Sequence, residues 1–137
     1  MAVKYHAVAK RHPGIVGGGE IKYYASIIRG DKATLRGMLD EIAELSVTHP
    51  GAVLAVLEVF LLRVNYHLTH GRAVELGQLG TFYPSISSTP EDSKDEVRVF
   101  NIRRFKVNFR PSKLLKKRLS VVEFVKESDD TAQAPAA

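Results

Sequence analysis

Gly51-Ala-Val-Leu-Ala-Val-Leu-Glu-Val-Phe-Leu-Leu-Arg-Val-Asn-Tyr-His-Leu68 decides the reading of this chain, together with the turn Gly77-Gln78-Leu79-Gly80-Thr81-Phe82 that follows it. Leu54, Leu57, Leu61, Val64 and Leu68 make one apolar stripe at three-four spacing, and Val53, Val56 and Phe60 make a second. A helix that is apolar nearly all round is buried on several sides. The rest of a 137-residue chain has few elements to cover it. A second copy is the expected cover, with Val56, Phe60 and Val64 facing it. A membrane span requires about 20 apolar residues, and Glu58 and Arg63 interrupt this run, so length speaks against that alternative.

Toward the N-terminus, Pro50 suits a first helical turn and Thr48 a cap. A preceding amphipathic helix, capped by Asp31, turns Leu35, Met38, Leu39, Ile42 and Leu45 inward and Arg36, Asp40, Glu41 and Glu44 to water. Those carboxylates read as a solvated face, not an acid/base pair. Further upstream, Val3-Lys-Tyr-His-Ala-Val-Ala9 and Glu20-Ile-Lys-Tyr-Tyr-Ala-Ser-Ile-Ile28 read as two paired strands. Gly17-Gly18-Gly19 between them lacks the Gly-Lys-Ser/Thr of a phosphate-binding loop and reads as a turn.

Toward the C-terminus, the long helix stops at His70-Gly71. His67 and His70 lie one turn apart without a third ligand, so they read as side chains placed against the dipole at a helix C-terminus, not as a metal site. Residues 72–76 form a short strand with Val74 and Leu76 on one face, and 81–87 form another, which Pro84 keeps from a central position. Residues 88–96, Ser-Thr-Pro-Glu-Asp-Ser-Lys-Asp-Glu, form a polar, acidic loop.

The charge then reverses. Residues 97–122 contain no Asp or Glu but hold Arg98, Arg103, Arg104, Lys106, Arg110, Lys113, Lys116, Lys117 and Arg118. Concentrating so much cation in one stretch points to an anionic partner more strongly than the net charge of +5. Residues 103–110 alternate, placing Phe105, Val107 and Phe109 inward and Arg104, Lys106, Asn108 and Arg110 outward. Pro111-Ser112 opens a last helix that Leu114, Leu115 and Leu119 anchor, with Lys113, Lys116 and Lys117 outward. Strand end and helix start meet at Arg110-Pro-Ser112-Lys113, a combination suited to phosphate. Residues 121–125 add a short strand, and 128–137 read as a disordered tail.

With 45% hydrophobic and 26% charged residues, the composition is that of a soluble globular protein, and the absence of Cys excludes disulfides and thiolate zinc sites. Residues 1–6 lack the apolar core of a secretion signal, so a cytoplasmic location is expected. No nucleophile-base pair or metal cluster stands out. Neither enzyme activity, a cofactor nor a small-molecule substrate is expected.

Helix, turn, long buried helix, Gly71-Arg-Ala-Val-Glu-Leu, Leu79-Gly-Thr-Phe82 and Val107-Asn-Phe-Arg-Pro-Ser-Lys-Leu-Leu-Lys116 resemble the bacterial histone-like HU/IHF family in order and spacing. The resemblance covers about residues 31–119, and the N-terminal strands point to a branch of that family with an N-terminal extension. It implies an α/β (α+β) intertwined homodimer: a helical body, a saddle of strands gripping double-stranded DNA, and two β-arms reaching into the minor groove. The implied organisation is a β extension over 1–30, an HU-like domain over 31–125 and a tail over 126–137. Carried over by position, Leu79, Phe82, Phe105 and Phe109 join Val56, Phe60 and Val64 in the dimer core. Arg98, Arg103, Arg104, Lys106, Arg110, Ser112, Lys113, Lys116 and Lys117 contact DNA. The implied role is nucleoid-associated DNA condensation with little sequence preference. The family's arm ends in a basic Gly-Arg-Asn-Pro-x-Thr-Gly tip, whereas here Pro90 stands among Glu91, Asp92, Asp95 and Glu96. Kinking of DNA by this arm is therefore not expected. The alternative reading keeps the scaffold as a dimeric structural or protein-interaction module with weak or no DNA binding.

Overall fold

The computed structural model describes residues 2–11, 14 and 16–128. The chain forms two compact units, one of residues 1–32 with 120–137 and the other of residues 33–119.

In the first unit, β1 (Val3–Arg11) pairs antiparallel with β2 (Ile21–Ile27), as the β-branched and Tyr-rich sequence anticipates. The C-terminal segment supplies β6 (Phe124–Lys126), which lies parallel to β1 on its other side and gives the order β2-β1-β6. The strand anticipated over 121–125 is thus shifted to Phe124–Lys126, and it completes the N-terminal sheet. Val3 N–H to Glu123 O and Glu127 N–H to Tyr5 O close the register, and Lys4 pairs with Glu127 at 3.2 Å. Of the tail expected over 128–137, residues 129–137 lie outside the described residues.

The second unit starts with α1 (Leu35–Ser46). Thr34, not Asp31, is its cap: the Thr34 hydroxyl accepts from Gly37 N–H at 3.1 Å, because the helix begins three residues later than the sequence suggests. Residues 47–49 lead to α2 (Pro50–Thr69), whose cap is His49, not Thr48. Its Nδ1 accepts from Gly51 N–H at 3.1 Å, while the Thr48 hydroxyl turns back to Ser46 O. After Gly71 come β3 (Val74–Glu75), β4 (Gly80–Ser88), β5 (Ile102–Pro111) and α3 (Lys113–Ser120). The sheet order is β3-β4-β5, which makes β4 the middle strand despite Pro84. The physical reason is that β3 reaches only Thr81 and Phe82. At Pro84 the strand has a single neighbour, Val107 of β5, and no second ladder for proline to break.

This fold leaves its apolar groups uncovered. Among the described residues, Leu39, Ala43 and Leu68 are the buried hydrophobic ones, where α1 meets α2. Along α2, Val53, Leu57 and Val64 are half-buried, while Val56, Val59, Phe60, Leu61 and Leu62 are exposed. By length and composition α2 is also long and apolar enough to cross a membrane. Length therefore does not exclude that alternative; Glu58, Arg63, Asn65 and His67 within one span weigh against it instead.

Candidate functional site

The site is built on the ribbon of β4 and β5. Their register pairs Phe82 with Phe109, Pro84 with Val107 and Ile86 with Phe105, and between these pairs Thr81 with Arg110, Tyr83 with Asn108, Ser85 with Lys106 and Ser87 with Arg104. Because side chains alternate along a strand, one face is apolar and the other polar and cationic. On the apolar face the Phe82 and Phe109 rings stack 4.9 Å apart, and Phe105, Val107, Phe109 and Ile86 stay about half exposed. On the other face Asn108 donates to Ser85 Oγ at 2.8 Å, and the Arg110 guanidinium lies 4.9 Å from the Tyr83 ring. These contacts engage Asn108 and Arg110, and neither brings a carboxylate to the cationic face.

Gly80 makes the close approach at the root of the ribbon possible. Its φ is +150°, and a Cβ there would lie 2.3 Å from Arg110 O and 2.8 Å from the Phe109 ring. This fixes Arg110 and the chain entering α3. Ser112 N–H donates to Leu79 O at 3.1 Å, the Ser112 hydroxyl donates to Gln78 O, and the same oxygen accepts from Leu115 N–H at 3.0 Å. The hydroxyl is thus occupied in tying the 77–80 turn to the first turn of α3. Lys113, Lys116 and Lys117 follow at three-four spacing on one side of that helix.

Arg104, Lys106 and Arg110 are therefore brought together on one face, and Lys113, Lys116 and Lys117 follow on the adjoining helix. Arg103 falls at the irregularity in register beside Ser87 and Ser88. Arg98 lies beyond the ribbon, where its N–H donates to Asn101 Oδ1. Val56, Phe60 and Leu79 are exposed and Phe82 and Val64 half-buried, so the chain covers the last two only in part and leaves the first three open.

Sequence reading passed over Asn101. It is 1% exposed and organises the tip of the ribbon: its side chain donates to Thr89 Oγ1 and Glu91 Oε1 and accepts from Arg98 N–H, and its carbonyl accepts from Thr89 N–H. Short 3₁₀ turns at Lys94–Glu96 and Val99–Asn101 fold the loop around it. Asn101 stands third in a 3₁₀ turn whose cap position is Arg98, not the Ser, Thr, Asp or Asn that marks a capping box in sequence. The fold leaves Val97, Val99 and Phe100 exposed beside the acidic residues, so Pro90 is not the sole apolar group there. Among the described residues, no three or more His, Cys, Asp or Glu side chains form a metal-binding group.

The family model described as an HU domain fused to a winged helix-turn-helix, Ig or glycine-rich motif (HU-HIG) matches residues 1–126. Among solved structures, the chain resembles a protein provisionally described as a bacterial DNA-binding protein from Bacteroides vulgatus. The TM-score is 0.65 at 12% identity, over 93% of this chain and 50% of the other. The chain thus spans about half the length of that protein. A point mutant of HU from Thermotoga maritima aligns with a TM-score of 0.49 at 17% identity, over 64% of this chain and 99% of its own. No curated protein matches the chain.

Proposed function

The chain belongs to the HU-HIG family, and from that premise we propose that it is a histone-like architectural protein, a homodimer that binds double-stranded DNA with little sequence preference. The observation that carries the reading is the division of the β4–β5 ribbon into an apolar face and a cationic one. The apolar face, with exposed Phe60 and Val56 of α2, meets the second copy; Arg104, Lys106 and Arg110, continued by Lys113, Lys116 and Lys117, meet phosphates. Phosphate contacts position a protein without reading bases. The description given to the Bacteroides vulgatus protein agrees with this reading. The role is structural, without catalysis or cofactor, and its place is the nucleoid in the cytoplasm. Ser112 positions Lys113 through the cap, and Arg98 and Arg103 supply outlying charge.

Duplex binding titrated with salt tests this. Six to ten phosphate contacts per dimer lose about 10³- to 10⁵-fold in affinity between about 50 and 200 mM salt, on unrelated sequences alike. Absence of duplex binding near physiological salt would leave the second reading, a protein-interaction module. The ribbon tip favours that reading locally, because Phe100 and Val99 are exposed there among Asp92, Asp95 and Glu96.

A further inference from the structure

We propose that the free edge of β2 is a second self-association site, through which dimers of this chain join into open chains. The inference rests on the homodimer proposed above but uses a different surface. In the β2-β1-β6 sheet the two outer strands are unlike. β6 is three residues long and is followed by Glu127 in an ion pair with Lys4. Short, charged edges resist pairing. β2 is seven residues long, without proline, and Lys22 is its one charge. Ile21, Tyr23, Tyr24 and Ile27 are between 45% and 73% exposed.

The hydrogen-bond pattern shows which groups are available. Ile28 N–H donates to Lys4 O, and in an antiparallel ladder bonded and non-bonded pairs alternate. Lys22, Tyr24 and Ser26 therefore bond to β1, across from Lys10, Val8 and His6. Ile21, Tyr23, Ala25 and Ile27 turn their N–H and C=O groups to the open side. Among the described residues, β2 has β1 as its partner and no strand on the other side.

A second β2 placed antiparallel about a two-fold axis at Tyr24 opposes Ile21 to Ile27, Lys22 to Ser26, Tyr23 to Ala25 and Tyr24 to itself. Every bonded pair in this register joins two outward-facing residues, so the ladder is complete. Lys22 meets Ser26, not another Lys22, and a Tyr–Tyr pair sits on the axis, a favourable cross-strand contact. Ile21, Tyr23, Ala25 and Ile27 share a face with Tyr5 and Val3, where Val3, Tyr5, Ala25, Ser26, Ile27 and Phe124 line an apolar hollow of about 440 Å³. Pairing makes that face continuous across six strands. Each dimer carries two β2 edges, so two dimers joined through one β2–β2 pair keep a free edge at either end from which the chain is extended.

Sedimentation velocity of the full chain without DNA, from about 5 to 500 μM, tests the proposal, since self-association follows mass action. The wild type is expected to rise from twice 15.2 kDa toward four times that mass and beyond. Ala25→Pro removes an outward N–H without touching a bond to β1, and Tyr23→Lys adds an edge charge. Either variant is expected to stay at the dimer with unchanged circular dichroism and short-duplex affinity. A wild type that stays dimeric throughout, or variants that assemble as it does, would overturn the β2 proposal and leave the dimer standing. A wild-type dimer that Ala25→Pro or Tyr23→Lys converts to a folded monomer would make β2 the primary interface, overturning both this second site and the α2 dimer.

Discussion

Gly80→Ala tests whether the ribbon root is as tight as described. The methyl group would lie 2.3 Å from Arg110 O, a backbone atom that cannot swing aside, and 2.8 Å from the Phe109 ring. Relieving those contacts means moving β4 off β5 by nearly 1 Å. Forcing extra volume into such a place costs about 1–3 kcal/mol, and an L side chain in a sparsely populated backbone region adds about 1–3 kcal/mol. The total, about 2–6 kcal/mol, is a large part of the 5–15 kcal/mol typical of a folded domain. Gly71→Ala is the internal comparison. Its φ is +74° but nothing lies within 4 Å of the added carbon, so only the backbone cost of about 1–2 kcal/mol applies. Urea unfolding of both variants and the wild type, at one protein concentration so that association is held constant, reads the difference. A Gly80→Ala loss equal to or smaller than the Gly71→Ala loss would refute the close approach of β4 to β5.

Phe60→Asp is expected to give unfolded or insoluble protein instead of a folded monomer, because α2 then carries a charge into the surface that the partner must bury; a monodisperse, folded monomer in sedimentation with native circular dichroism would refute the obligate dimer. Lys113→Ala with Lys116→Ala removes four phosphate contacts per dimer, which flattens the salt slope by about 3.6 and weakens binding to all duplexes alike. An unchanged slope would move the DNA face away from α3. Pro90→Ala is expected to leave affinity nearly untouched and an end-to-end fluorescence transfer experiment to show little bending, since at the tip Glu91, Asp92, Asp95 and Glu96 outweigh Lys94 and Arg98 and oppose entry into the minor groove; a strong bend lost with Pro90→Ala would contradict this.

The parts of the fold legible in the sequence are those set by local periodicity. Alternation over 103–110 places Phe105, Val107 and Phe109 opposite Arg104, Lys106 and Arg110, and the ladder to β4 has that register. The continuous apolar run gives α2 almost to the residue, because Pro50 and Gly71 mark its ends. Features decided by competition between neighbours were not legible. Asp31 and Thr34 are both good caps, His49 is not a usual one beside Thr48, and only the chain's path selects Thr34 and His49. The pairing of β6 with β1 joins residues more than a hundred positions apart and leaves no local trace. Asn101 resembles any polar loop residue until the tip folds around it. For the candidate site, the alternation that puts Arg104, Lys106 and Arg110 on one face was readable, but the tie of the Ser112 hydroxyl to Gln78 depends on the folded turn that brings them near.

On the proposed function, the two faces of the β4–β5 ribbon serve different partners. Photocrosslinking reads it most directly. A photoreactive side chain at Ser85, beside Lys106 on the cationic face, is expected to crosslink to bound duplex and not to protein, whereas one at Val107 on the opposite face is expected to give a covalent dimer with or without DNA. Crosslinks from Val107 to DNA, or from both positions to DNA alone, would contradict the account.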